Sequence, residues 1–518
     1  MRLFVLGAFS ALTLLPAVAL ADEASATCDE PHDLDKYQLL RRLSLDLRGE
    51  IPSLEEYDAL DAEEVVPATT VQHYLETDEF RMTMRRYHEL MFWPNVSNVR
   101  LNNQNALLGL KAGPALRIQA ASRASLYRGD PDATCGDFQQ TDFDPAYPGQ
   151  FRPKPGSPEG WRMVSPYWDP GNPVKVCAYD AQETKSVGGV ECNTLAGNAD
   201  KACGCGPNLD FCYAPSQAAS KLILASLREQ LARAVDDVVT GGAPYTDLLL
   251  STKAWQNGPI AFWKKNLAPN LSYSATYNVA DPDEEVLAKD YLDETWTQVD
   301  RKGSHAGVLT LPAYLLRFQT DRGRANRFRI TFMCEYFVPP AKLDPAPGCD
   351  PAANDLTQRC NCQYCHQKLE PLASYFGLFA EAGSTFMSEA SGLPNPNMAC
   401  KGKGSAFCKR FYVTDAMAHN PGALLSLQWA DLHTEYQTNS EAGPRALAQS
   451  IVDDGTFAHC TVRKAFAHFV KRDMRAQGAE TDELALLDSL ADGFAKSGYS
   501  FPWLVQELVS LPQYRRVR

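Results

Sequence analysis

The chain has 518 residues, 45% of them apolar and 22% charged, and a formal net charge of −13. The apolar share is enough for packed cores, and ordinary Gly and Pro usage excludes wholesale disorder. The acidic balance argues against a nucleic-acid or anionic-membrane partner, and the length predicts two to four domains.

Residues 1–21 have the form of a signal peptide. Arg2 is the positive end, Leu3 to Leu20 is an apolar run interrupted by Pro16, and Ala19-Leu20-Ala21 supplies small residues for cleavage. An uncleaved membrane anchor is the alternative. No later run of 18 apolar residues follows, so no transmembrane segment is expected after cleavage. The expected location is outside the cytoplasm, in a periplasm or on an outer cell surface. The chain's fifteen cysteines then read chiefly as disulfides.

Residues 22–110 are expected to form an N-terminal helical domain. Tyr37, Leu40, Leu43 and Leu47 recur at helical spacing. Ser53 with Glu56 has the form of a capping box for a second helix. A further helix is predicted from Glu79 to Phe92, ending before Pro94, with His88 and Trp93 read as core or interface residues.

Residues 111–215 read as an irregular, cysteine-rich insertion. Pro, Gly, Asp and Tyr are abundant, periodicity is weak, and Cys135, Cys177, Cys192, Cys203, Cys205 and Cys212 would have to staple what an apolar core cannot order. Six cysteines allow about 15 pairings and the spacing does not choose among them. Cys203-Gly204-Cys205 is a poor candidate to close on itself, and a zinc knuckle is the sharper alternative.

Residues 216–345 are predicted to be a central helical domain. Leu224, Leu227, Leu231, Val235 and Val238 form one stripe, Ser216 is a plausible cap, and Gly241-Gly242 ends the helix. The acidic cluster Asp281, Asp283, Glu284 and Glu285 suits an exposed loop or helix start better than a calcium site.

Residues 346–420 hold the chemistry. Cys362-Gln363-Tyr364-Cys365-His366 is the pattern C-x-x-C-H. Two thiols one helical turn apart can add across the two vinyl groups of haem, and the adjacent imidazole then becomes the proximal iron ligand. The segment Leu369 to Phe379 is apolar and aromatic enough to wall a porphyrin. One covalent haem c on Cys362, Cys365 and His366 is therefore expected. A zinc site from Cys360, Cys362, Cys365 and His366, or plain disulfides, are the competing readings; Cys360 and Cys362 are too close for the usual zinc knuckle. Met398 and Met387 rank first as distal iron ligands, ahead of Met417, His419, His433, His459 and His468. Cys349 with Cys360, and Cys400 with Cys408, look like local disulfides.

Residues 421–518 return to helices. Thr481 would cap one with Leu484, Leu487, Ala491 and Phe494 on its apolar face, and Ser500 with Pro502 would open the last. Fifteen cysteines less two for haem leaves an odd thirteen, so one is free or pairs with another chain, and Cys28 is the first suspect.

The chain from Arg301 onward resembles the cytochrome c-like proteins of planctomycete and myxobacterial type, which are assembled from associated domains of unknown function. Arg301-Lys302-Gly303 through Thr310 is similar to their R-x-G-x-L-T element. Arg327 to Cys334, followed by Val338-Pro339-Pro340, is similar to their W-V-x-E-x-L-L-C-x-x-x-P-P segment. Cys362 to Gly383 is similar to C-x-x-C-H-x-x-x-D-P-L-G-x-x-x-E-x-F-D-x-x-G, with Glu370-Pro371 in place of D-P and Phe379-Ala380 in place of F-D. Phe457 to Cys460 and Phe494 to Ser500 look like the family's final helical domain, and Arg41 to Pro52 resembles the opening of an associated family. The resemblance implies haem binding and fold and supplies no substrate. It also places Cys334 and Cys460 in matched segments, where they would bridge the middle and C-terminal domains.

The predicted fold class is thus mainly α: a multi-domain helical protein with a disulfide-rich insertion and a cytochrome c-like haem segment. The leading functional expectation is single-electron transfer with an unidentified redox partner protein or small-molecule donor or acceptor. The alternatives are a haem-dependent peroxidase or oxygenase with an open distal site, and a disulfide-stapled structural or binding protein without haem. No G-x-S-x-G elbow or H-E-x-x-H helix points to a hydrolase.

Overall fold

The computed structural model describes residues 32–96, 101, 106–111, 113–120, 128–194, 197, 200–215, 218–268, 283–336, 347–351, 356–379, 384, 434–474 and 482–517. The predicted signal peptide, Cys28, Cys400 and Cys408 lie outside them, as do Met387, Met398, Met417, His419 and His433. Among the described residues helices dominate, and the strands form small antiparallel pairs.

The N-terminal helices begin where the capping chemistry puts them. α1 (Lys36–Leu47) starts at Asp35, whose Oδ1 accepts from Gln38 N at 2.8 Å while the Gln38 side chain accepts from Asp35 N at 3.2 Å. α2 (Leu54–Asp61) opens on the expected capping box: Glu56 N donates to Ser53 Oγ at 3.2 Å, and Ser53 N donates to Glu56 Oε2 at 2.8 Å. Short α3 (Ala68–Leu75) leads to α4 (Asp78–Phe92), which buries Phe80, Met84, Tyr87, His88 and Phe92. His88 is a core residue as expected. Its Nδ1 meets Met84 O at 2.7 Å, its Nε2 meets Tyr245 Oη at 2.9 Å, and burial pushes its pKa down to about 4. Trp93 is not a core residue: it ends α4 in the left-handed region at φ 49° and is 50% exposed.

Residues 128–215 are stapled. Cys135–Cys177, Cys192–Cys203 and Cys205–Cys212 are disulfides. Cys203 and Cys205 therefore bond in opposite directions, which removes the zinc-knuckle reading. Gly204 between them is required, because a Cβ there would sit 2.1 Å from Tyr179 O. Two short pairs of strands add backbone order, β2 (Leu108–Gly109) with β3 (Arg117–Ile118) and β4 (Trp161–Val164) with β5 (Val174–Cys177). β1 (His32–Asp33) lies elsewhere, as described below. Arg128 forms a buried knot, donating to Glu159 at 2.6 Å and Asp180 at 2.9 Å.

α5 (Ala218–Val239) is the predicted amphipathic helix; Leu227, Leu231, Val235 and Val238 are buried, and Gly242 follows at φ +78°. Arg85 of α4 ties the two helices, with its Nε 2.8 Å from Asp236 Oδ1 and its Nη1 3.0 Å from Glu229 Oε2. The next stretch is less helical than predicted, because β6 (Lys253–Gln256) pairs with β7 (Thr297–Asp300) across a segment holding the short α6 (Gly258–Phe262), and α7 (Pro312–Arg317) follows. The acidic cluster is corrected in part. Asp281 lies outside the described residues and Glu285 is exposed in a loop as expected, but Glu284 is not a solvated loop residue. It is buried and ion-paired with Lys264, and accepts from Gln256 Nε2 at 3.2 Å. Burial opposes its charge, but Lys264, Arg301 and His305 outweigh that and hold its pKa down.

The first and last described strands meet. β1 pairs with β8 (Arg516–Val517), and Tyr514 Oη donates to Asp46 at 3.1 Å. One hydrophobic cluster runs from Leu39 to Tyr514 and takes in Tyr167, Leu209 and Tyr213 from the cysteine-rich stretch.

Candidate functional site

The C-x-x-C-H element is built on three helices: α8 (Asp321–Phe328), α9 (Gln363–Ser374) and α10 (Thr434–Asp453), the last broken at Gly443, where φ is 69°. The approach is fixed by the predicted Cys349–Cys360 disulfide. Asn361 then turns in the left-handed region at φ 66°, and α9 begins. Cys365 N and His366 N both donate to Cys362 O, at 3.2 and 3.1 Å, so the motif wraps one helical turn. That is the spacing paired vinyl attachment needs.

Among the twelve described cysteines, ten form five disulfides, and the two without one are Cys362 and Cys365. Both are half-buried. Burial, with the Cys362 thiol beside it, pushes the Cys365 thiol up. Cys360 is spent on Cys349, so the four-ligand zinc reading is overturned. Among the described residues no group of three or more His, Cys, Asp and Glu side chains is arranged to hold a metal ion.

His366 and Glu370 stand at i and i+4 on one face of α9, and His366 Nδ1 is hydrogen-bonded to Glu370 Oε1. Glu370 is buried and fixed from the other side by Arg322 of α8, whose Nε donates at 2.6 Å. A carboxylate on Nδ1 orients the ring and leaves Nε2 for a ligand bond. The helix continues through Pro371 to Ser374, and α10 clamps its end: Asn439 Nδ2 donates to Ser374 Oγ at 3.0 Å and Ser440 Oγ to Ser374 O at 2.8 Å.

The segment Leu369 to Phe379 divides its work. Phe376, Leu378 and Phe379 are packed into the protein core, while Leu369, Leu372 and Tyr375 are half-buried. The expected porphyrin wall is therefore reduced to the residues that α9 leaves partly open. Arg324 fixes the far end, with its Nη1 2.7 Å from Phe379 O and 2.9 Å from Asp321 Oδ1.

The Arg301 to Thr310 element is a structural knot behind this segment. Arg301 is buried and donates to Thr310 Oγ1 at 3.0 Å and Gly307 O at 3.0 Å, and the His305 ring meets Phe379 edge-on at 5.7 Å. The Arg327 to Cys334 stretch ends α8 and forms a π-helical turn, Arg329–Met333. Cys334 is then bonded to Cys460 of α11 (Thr456–Val470), the bridge between middle and C-terminal parts. His459 is spent elsewhere, on Gly455 O at 2.9 Å and Asp488 Oδ1 at 3.0 Å. His468 packs against Tyr87 at 4.6 Å between ring centres.

Arg322, Arg324 and Asn439 were not legible as site residues, because each reaches the motif from a distant part of the chain. Glu370 had a local signal, the four-residue spacing from His366. No protein-family profile, curated protein or solved structure matches the chain.

Proposed function

We propose that this is an exported c-type cytochrome-like protein carrying one haem on Cys362 and Cys365 with His366 as proximal ligand, and that it transfers single electrons. What carries the reading is the cysteine distribution: every other described cysteine is committed to a disulfide, and the two thiols left are those of C-x-x-C-H. Five disulfides fit an oxidising compartment, where this attachment is made. Among the described residues no helix is long and apolar enough to cross a membrane.

The donor set fits the group. The thiols lie one turn apart, and the imidazole has its Nδ1 occupied by a carboxylate. The haem would supply one-electron redox chemistry. The chain's own contribution is to orient His366 through Glu370, to brace Glu370 with Arg322, and to fix the helix between a disulfide and Ser374. With haem bound, the Glu370 carboxylate on the proximal imidazole would favour the oxidised state. The likeness of the Arg301–Gly383 segments to the planctomycete and myxobacterial type belongs to the same proposal.

The test is a pyridine haemochrome spectrum on protein exported from a host with c-type maturation machinery. The expected result is a c-type spectrum at one haem per chain. Colourless, correctly exported protein refutes the proposal.

A further inference from the structure

A second site lies in the groove where α4, the π-helical turn and α11 meet. We propose that this cavity binds a small aromatic carboxylate. Its volume is 530 Å³, within the range of about 300–1,000 Å³ typical of small-molecule sites.

The charge comes from Arg327, which is 8% exposed and lines the cavity. Its Nη2 donates to Leu90 O at 3.2 Å and to Met91 O, capping the end of α4. Its Nε is buried with no partner among the described residues, and the same holds for Oγ1 of Thr331, 3% exposed on the same wall. A buried guanidinium ordinarily has a carboxylate beside it. Among the described residues Arg327 has none: burial lowers its pKa, and the titratable groups it feels are Tyr314, Tyr336 and Arg317. Two acids also line the cavity, Asp473 and Glu483; Glu483 is held by Arg472 at 3.0 Å, and neither is bonded to Arg327 among the described residues. Lys464 adds a second positive group, with its Nζ 3.3 Å from Tyr336 Oη.

The aromatic preference comes from the walls. The left-handed backbone at Trp93 turns its ring outward over Arg327, with the guanidinium carbon 4.2 Å from the ring centre. Tyr336 is 62% exposed, and Tyr87 and His468 also line the cavity. Burial, helped by Lys471, pushes the pKa of His468 down to about 4, so the imidazole brings no charge at neutral pH. A planar ring between Trp93 and Tyr336, with its carboxylate paired to the Arg327 guanidinium, would supply the charge partner that the fold does not.

The site is independent of the thiols of Cys362 and Cys365, so its failure and the failure of the haem proposal are distinguishable. The experiment is calorimetric titration of the full exported chain at pH 7 with 2-naphthoate and with the neutral 2-naphthamide. The expected result is one molecule of the acid per chain, bound at least tenfold tighter than the amide. Trp93→Ala, a change at a half-exposed position, should weaken the acid at least tenfold. Because Arg327→Gln also removes a helix cap, its companion is Arg327→Lys, which keeps the charge and loses the fork. Equal affinity for acid and amide, no binding of either at millimolar concentration, or unchanged affinity in Trp93→Ala overturns the proposal.

Discussion

The helical body and the cysteine-rich stretch solve the same problem by different means. In the body, the described residues of 32–96, 218–268 and 434–517, order follows largely from apolar spacing and capping side chains a few residues apart. Among the described residues of 128–215 helices are nearly absent, and order comes from three disulfides, one four-residue strand pair and the buried Arg128 knot. The two nonetheless share a core: Tyr167 stacks on Phe262 at 4.4 Å, and Tyr213 Oη donates to Leu267 O at 3.1 Å. The lesson is that covalent staples set the local shape while packing against the body supplies the burial.

The largest expected effect tests that division. Removing Cys135–Cys177 by paired Ser substitutions frees residues 42 apart and should cost about 4 kcal/mol by the loop-entropy argument. Limited proteolysis should then cut within 128–215 while far-ultraviolet circular dichroism keeps the helical signal. Simultaneous loss of both would mean the regions are one cooperative unit.

Acid should act on the body instead. Burial holds the His88 pKa down at about 4 in the folded chain, against an ordinary 6.5. The unfolded chain therefore binds the extra proton between those values, and the stability from a neutral His88 is present above pH 6.5 and lost as pH falls toward 4. The loss approaches about 3 kcal/mol for this residue. Urea unfolding at pH 7 and pH 4.5 measures it; His88→Gln should flatten the difference, and an unchanged slope would count against the buried neutral ring.

The smallest effect sharpens the contrast from the helical side. Ser53→Ala breaks the capping box of α2 and should cost about 1 kcal/mol, read as a shift in the urea midpoint with no new proteolytic site in 128–215.

Legibility in the sequence follows the same line. The Ser53–Glu56 box, the span of α4, the α5 stripe and the Ser500 start of α13 (Phe501–Ser510) were readable, because each depends on neighbours within a turn or two. α12 (Asp482–Lys496) was read with one error: Leu484 is 40% exposed at the rim of the Arg327 cavity, while Leu490 is buried. The pairings among six cysteines, the β6–β7 pair and the Lys264–Glu284 ion pair were not readable, since topology decides them. Of the candidate haem site, the two thiols and the imidazole were plain in five residues of sequence. The support from Arg322, Arg324, Asn439 and Ser440 came only with the fold.

The central claim is tested most directly by peptide mass mapping of the mature, exported chain without reduction. The account predicts a single peptide spanning Cys362 to His366 that carries the mass of one haem through two thioethers, alongside the five disulfides described here. Recovery of Cys362 and Cys365 bonded to each other, or to other cysteines of the chain, would contradict it.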